Sequence, residues 1–253
     1  MRALFISDVH LQDGTSTKAR VLIRFLEEEA SRYDRLYILG DLFDVWPGTT
    51  GHLVRHYKPV LDVLGALARG GTAISYLEGN HDFRLGRYFT EEIGARVLEN
   101  DHVDANGNDW NGKRLYLSHG DLGNPKDFAY RGLRSVLRQP LLHGVLGLLP
   151  GAWVFALGAS ASRLSRKSKP PLTEEKAALI RRVYRETARR ICERGFDLVM
   201  MGHTHLPDDY RFELGGRACR YLNTGDWVRN FTYVEFDGTD FHARAHPVGG
   251  ARF

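Results

Sequence analysis

Short apolar runs alternate along this chain with stretches whose apolar residues recur every three or four positions. Residues 3 to 7 (ALFIS), 36 to 39 (LYIL), 73 to 77 (AISYL), 115 to 118 (LYLS) and 197 to 201 (DLVMM) are rich in β-branched and aromatic side chains. Each run stops at a polar or glycine-containing turn, which predicts buried strands. Between them, residues 17 to 31 place Val21, Phe25 and Leu26 on one face, and residues 53 to 69 do the same with Val54, Tyr57, Leu61, Leu64 and Leu67. Both patterns predict amphipathic helices. Strands alternating with helices argue an α/β architecture. Residues 210 to 246 instead predict a β meander: Tyr210 to Leu214, a Gly-Gly turn, Ala218 to Leu222, then Thr232 to Phe236. A further amphipathic helix is expected over 173 to 194, opening on Thr-Glu-Glu.

The middle of the chain breaks the pattern. From Phe128 to Thr173 there is no Asp or Glu, yet Arg131, Arg134, Arg138, Arg163, Arg166, Lys167 and Lys169 are all present. Residues 141 to 159 between these cations are long enough to be compared with a membrane-spanning helix. Pro150-Gly151 and three further glycines argue against one continuous span, and two short apolar helices are expected instead. Residues 126 to 172 therefore read as a helical insertion within a single domain covering 1 to 253. It is either a subdomain packed on the core, or an apolar, cation-flanked cap suited to an amphiphile with an anionic head or to an anionic membrane surface.

Composition narrows the classes without choosing among them. The 253 residues are 43% hydrophobic and 26% charged with a formal charge of +4, as expected of a globular chain able to bury a large core. Two distant cysteines, Cys192 and Cys219, form no paired motif, so a reducing compartment is the expectation. The N-terminal apolar run is too short for the core of a signal peptide, and cytoplasmic synthesis follows.

The chemistry lies where the apolar runs end. They deliver, in order, Asp8-Val9-His10, Gly40-Asp41, Gly79-Asn80-His81-Asp82, His119-Gly120-Asp121 and Gly202-His203-Thr204-His205. Any one of these is weak, since Gly, Asn and Asp also favour plain turns. Together they carry weight, because the carboxyl ends of strands in an open α/β sheet form the ligand crevice. The ligand types are oxygen and imidazole without thiolate, a set that suits Mn²⁺, Fe²⁺ or Zn²⁺. Asp8, His10, Asp41, Asn80, His119, His203 and His205 are too many for one mononuclear site and suffice for two metals sharing a carboxylate. Two ions about 3.5 to 4 Å apart polarise a phosphate and lower the pKa of water to give a hydroxide nucleophile. His52, His56, His102, His143, His242 and His246 fall outside the pattern and are given no role.

This order of blocks, DxH, GD, GNHD, H and GHTH over residues 8 to 205, resembles the calcineurin-like metallophosphoesterase superfamily. The resemblance implies a four-layer α-β-β-α sandwich and a dimetal phosphoesterase. One metal would be held by Asp8, His10, Asp41 and His205. The other would be held by Asn80, His119 and His203, with Asp41 as bridge. His81 would face the leaving oxygen as an acid or electrostatic stabiliser, with Asp82 orienting its ring. Asp226, in the closing loop near Gly225, receives no role.

A narrower resemblance points to a substrate. The stretches LYILGDLFDVWPG and GNHDFRLGRYF, and the spacing from His119 to Tyr130, Arg134 and Pro140, are similar to the UDP-2,3-diacylglucosamine hydrolases of lipid A synthesis. That family cleaves the pyrophosphate of a UDP-linked diacyl sugar, typically with Mn²⁺, giving UMP and a diacylglucosamine 1-phosphate. Its insertion receives the acyl chains, so Asn80, Tyr130, Arg134, Ser162, Arg166 and Lys169 would contact substrate. The implied setting is cytoplasmic, with a peripheral contact at the anionic inner membrane. The chain departs from many members at His81, where they carry Arg, which keeps open a side branch acting on a related lipid or nucleotide diphosphate. Rival readings are a nucleotide or cyclic-nucleotide phosphodiesterase, a protein phosphatase, or a non-catalytic metal-binding scaffold. Nucleic acid is not an expected partner: the cations interleave with Leu, Val, Phe and Trp instead of forming a basic track with aromatic platforms. Oligomeric state is left open.

Overall fold

The structure is a computed structural model, and it describes residues 1–98, 101–104, 110–139, 148–168 and 172–247. Among the described residues, eleven strands form two mixed sheets. The first has the order β11-β10-β1-β2-β3-β4, from Phe241–Ala245, Thr232–Phe236, Ala3–Ile6, Arg35–Ile38, Ala73–Leu77 and Arg96–Leu98. The second has the order β5-β6-β7-β9-β8, from His102–Asp104, Leu115–Ser118, Leu198–Met201, Arg217–Asn223 and Asp208–Leu214. β1, β2, β3 and β4 run parallel, as do β6, β7 and β9, while β10, β11, β5 and β8 join antiparallel.

Period-two alternation sorts the strand residues into layers. Ala3 and Phe5 of β1, Leu115 and Leu117 of β6, and Leu198 and Met200 of β7 meet between the two sheets, with Trp110, Leu222, Phe236 and Phe241. Leu4 and Ile6 face the other way, onto the helices α1 (Thr17–Glu28) and α3 (Lys58–Arg69). Val199 and Met201 face the long helix Glu174–Glu193 through Tyr184, Ala188 and Ile191. Helix, sheet, sheet, helix is the expected four-layer order, and it explains why β1, β6 and β7 are apolar on both faces.

The expected helix over 53 to 69 is two: α2 (Gly51–His56) and α3, divided at Tyr57. Pro59 is the cause, since proline is tolerated in a first turn but not in a helix interior. Thr50 and Ser16 cap α2 and α1, each accepting from a backbone N–H of the first turn. β4, β5 and β11, together with a π-helical turn at Tyr88–Ile93, are additions to the expected elements.

In the insertion, α4 (Phe128–Leu137) and α5 (Gly151–Ser168) are helical, and α6 (Glu174–Glu193) follows with Thr173 as its N-cap. The expected break at Pro150-Gly151 coincides with the start of α5. Residues 140 to 147 and Lys169 lie outside the described residues. Among those described, no helix is long and apolar enough to cross a membrane. α4 buries none of its residues, and Phe128, Leu133, Val136, Trp153, Leu157 and Leu164 of α4 and α5 are exposed. Apolar side chains this exposed on two helices call for something to cover them.

Candidate metal centre

The parallel strands β1, β2 and β3 of one sheet and β6 and β7 of the other end along one edge of the sandwich, and all seven expected ligands come together there. Asp8 Oδ1 is 3.4 Å from His205 Nε2 and 3.7 Å from His10 Nε2. Asp41 Oδ2 lies between two imidazoles, 3.7 Å from His10 Nε2 and 3.5 Å from His119 Nε2. Asn80 Oδ1 is 3.0 Å from both His119 Nε2 and His203 Nδ1. One carboxylate oxygen thus joins two lobes, with Asp8, His10 and His205 on one side and Asn80, His119 and His203 on the other.

The local backbone is built for this convergence. Asp8, His10, Asp41, His203 and His205 all have positive φ, between 48° and 68°, which costs non-glycine residues energy and marks a site where the surrounding structure dictates the geometry. Glycine permits the close approach. A Cβ on Gly79 would lie 2.1 Å from Asp41 Oδ1, and one on Gly202 would lie 2.5 Å from Asp8 Oδ2. Hydrogen bonds fix the rings: His119 Nδ1 donates to the Leu39 carbonyl at 2.7 Å, which turns Nε2 toward Asn80 and Asp41. Asp8 Oδ2 accepts from the His203 backbone N–H at 2.7 Å and from the Ser7 hydroxyl.

That leaves Asp8 Oδ1 buried without a hydrogen-bond donor. A fully buried carboxylate oxygen with no partner is costly, and a cation between it and the facing imidazoles removes the cost. Burial pushes the Asp8 carboxyl up, but the His205, His10 and His119 imidazoles outweigh burial and hold its pKa at about 2. Burial also drives the His203 pKa down to about 4, helped by His119, so its ring is neutral and able to ligate. The donor set, the orphaned oxygen and the close-set rings fit a pair of divalent cations.

Two placements differ from expectation. Asp82 does not orient His81. It is fully buried, and its carboxylate accepts from the backbone N–H groups of Asp41, Leu42, Phe43 and Gly79 and from the Tyr76 hydroxyl. Asp82 instead ties the loop after β2 to the loop after β3. Burial and the nearby Asp41 carboxylate push its pKa up to about 7 against the pull of those donors. The His81 ring is held by Asp44: Nδ1 donates to the Asp44 carbonyl at 2.8 Å and stands 3.8 Å from Oδ1. Its backbone N–H donates to Asp41 Oδ1 at 2.8 Å, which fixes the residue beside the metal lobes.

Of the expected substrate contacts, Tyr130 and Arg134 converge on Asp121, at 2.7 Å from the hydroxyl and 2.6 Å from Nε. Ser162 is buried against Asp44, and Arg166 lies on α5. The sequence pattern gives Asp44 and Asp121 no role, although both follow a ligand closely, in GDLFD and HGD. Asp226 caps its own turn, accepting from the N–H groups of Val228 and Arg229.

Comparison with known proteins agrees with this arrangement. Residues 1–207 match the family described as calcineurin-like phosphoesterase. The chain is 34% identical over 249 residues to a protein of Pseudomonas aeruginosa named UDP-2,3-diacylglucosamine hydrolase, covering 98% of this chain and 100% of that one. A protein of the same name from Nitrosococcus oceani is 32% identical over 255 residues, covering 100% of this chain and 98% of the other. Given a family match over most of its length, full-length relatives above 30% identity and an edge that gathers Asp8, Asp41 and their imidazoles, this chain belongs to the calcineurin-like phosphoesterase family.

Proposed function

We propose that this chain hydrolyses the pyrophosphate of UDP-2,3-diacylglucosamine to UMP and 2,3-diacylglucosamine 1-phosphate. The observation that carries the reading is the seven-residue convergence with its orphaned Asp8 oxygen, in a chain that matches relatives of that name end to end. Asp8, His10, Asp41 and His205 would hold one cation, and Asn80, His119 and His203, with Asp41 shared, the other. Mn²⁺ is the first candidate, with Fe²⁺ or Zn²⁺ as alternatives. When bound, such a pair supplies charge neutralisation at phosphorus and lowers the pKa of water.

The chain's own residues do the rest. His81 has its Nδ1–H committed to the Asp44 carbonyl, so the doubly protonated ring is the form whose Nε2–H can be given to the leaving oxygen. Its side chain is 27% exposed, enough to meet substrate while the residues around it are buried. The leaving oxygen keeps the electron pair of the broken phosphorus–oxygen bond, and a proton or hydrogen bond from Nε2 stabilises it. Arg134 and Tyr130 stand beside the His203 lobe, with the Tyr130 and His203 rings 6.0 Å apart, where the charge of a diphosphate would fall. The exposed faces of α4 and α5 would cover the acyl chains and allow a peripheral contact with an anionic membrane.

The test is a pairwise comparison of the acylated UDP-sugar with its deacylated counterpart and with a soluble nucleotide diester. The reading expects kcat/KM at least about a hundredfold higher on the acylated substrate, since two buried chains are worth several kcal/mol. Equal rates on all three would reassign the chain to a general phosphodiesterase.

A further inference from the structure

We propose that a cavity between the loop after β1, helix α2 and one flank of α5 is the nucleoside subsite, which takes the base and ribose of the substrate. The proposal rests on the function proposed above, which sets the diphosphate at the metals and the acyl chains against the exposed faces of α4 and α5. The cavity has a volume of about 360 Å³, within the range of about 300 to 1,000 Å³ usual for small-molecule sites. It adjoins one lobe of the metal centre. Gln12, in its wall, follows His10 closely in the chain, and Asp44, also in its wall, has Oδ1 3.8 Å from His10 Nδ1. The backbone after His10 is held there: the Leu11 carbonyl accepts from the Asp44 N–H at 2.9 Å and the Tyr57 hydroxyl at 3.0 Å. The Gln12 carbonyl accepts from His56 Nε2 at 2.8 Å. Among the described residues, none of α4 lines the cavity. Phe155, Ala159 and Arg163 line it from α5 at a spacing of four, which puts them on one flank of the helix. Trp153, Leu157 and Leu164, the exposed apolar residues, fall on another side. Helix α5 thus parts the cavity from the apolar surface given to the acyl chains.

The lining has the chemistry of a nucleoside site. The His56 and Phe155 rings, with centroids 4.5 Å apart, offer an aromatic surface on which a base can stack. Two polar side chains at its edges have donors and acceptors to give. The Gln12 amide makes no hydrogen bond among the described residues, and Arg163 commits only Nη2, to Ser160 Oγ at 3.0 Å. A carboxamide sets a donor beside an acceptor, and the edge of uracil does the same with N3–H between two carbonyl oxygens. The other N–H groups of the guanidinium suit those carbonyls or the ribose hydroxyls. A fatty chain would use neither side chain, so the mixed lining favours a nucleoside over an acyl tail.

The experiment is a calorimetric titration of the full chain, loaded with Mn²⁺, with UMP and with ribose 5-phosphate, which keeps the sugar and phosphate but lacks the base. The parent is expected to bind UMP at least about tenfold more tightly, the effect of one stacked base. Arg163→Ala and Gln12→Ala should each lower that ratio about threefold, the effect of one exposed hydrogen bond. Ala159→Trp, which fills the cavity, should bring the ratio to about one. Each ratio is taken within one protein, so a shared loss of phosphate binding cancels, and the two alanine variants decide the matter if the tryptophan variant does not fold. A parent ratio near one, or a ratio unchanged in both alanine variants, would overturn the subsite. So would an Ala159→Trp chain that keeps the UMP ratio and loses affinity for the diacylglucosamine 1-phosphate, since the cavity would then belong to an acyl chain. A parent that shows the expected ratios yet releases no UMP from the acylated UDP-sugar would overturn the substrate assignment and leave the subsite standing.

Discussion

Asp82 shows how far a residue's neighbours in sequence can mislead. It stands beside His81, and adjacency suggests that the two interact, yet its five donors come from the turn after β2, from Gly79 and from Tyr76. Backbone N–H groups leave no signature in sequence, so this structural role was illegible while the ligand roles were not. Asp8, His10, Asp41, Asn80, His119, His203 and His205 could be read because each follows an apolar run, and strand direction alone carries them to one edge. Asp44, the actual partner of His81, depends on the bend imposed by positive φ at Asp41. Asp82→Ala should therefore act on stability first. It strands several buried donors, and the expected loss is on the order of 3 kcal/mol. Denaturant unfolding of the metal-free chain measures it, and a loss well under about 1 kcal/mol would contradict the anchoring role. Gly79→Ala should act on the metals instead, because the new methyl would overlap Asp41 Oδ1. Mn²⁺ binding should weaken by about tenfold or more, read by calorimetric titration, and unchanged affinity would show that the loop can give way.

At the scale of elements, the long apolar runs gave strands in their expected places, whereas β4 and β5, at three residues each, are too short for any period to show. The split of α2 from α3 follows from Pro59, although the apolar stripe continues through it. The insertion is where elements and function meet. α4 buries no residue of its own and is held by polar ties: Tyr130 and Arg134 to Asp121, and Arg138 to Glu78 and to the Gly79 carbonyl. Those ties run to the loops that carry His119 and Asn80, so they fasten α4 to the metal centre. Asp121→Asn should loosen it, since the charge that both Tyr130 and Arg134 bind is removed. Amide exchange over Phe128–Leu137 is expected to speed by about tenfold while β1 and β6 stay protected. Unaltered exchange in α4 would mean that its remaining contacts suffice.

For the molecule as a whole, the four layers divide the work. The inter-sheet core around Phe5, Trp110 and Phe236 fixes the two sheets, and their parallel strands point the carboxylates and imidazoles at one another across the edge. The two outer helical layers bury the other strand faces, and the proposed function gives the insertion to the substrate. Alternation of strands and helices made the fold class legible, but strand order within two sheets was not, because pairing across the sandwich depends on contacts far apart in sequence. The central claim joins this scaffold to one reaction, and one assay tests it most directly: release of UMP from UDP-2,3-diacylglucosamine by the Mn²⁺-loaded chain, beside Asp41→Ala. The account predicts release by the parent that stops on chelation, and a fall of at least about a thousandfold in the variant, whose shared ligand is gone. Undiminished release by Asp41→Ala, or none by a parent that holds two Mn²⁺, would contradict it.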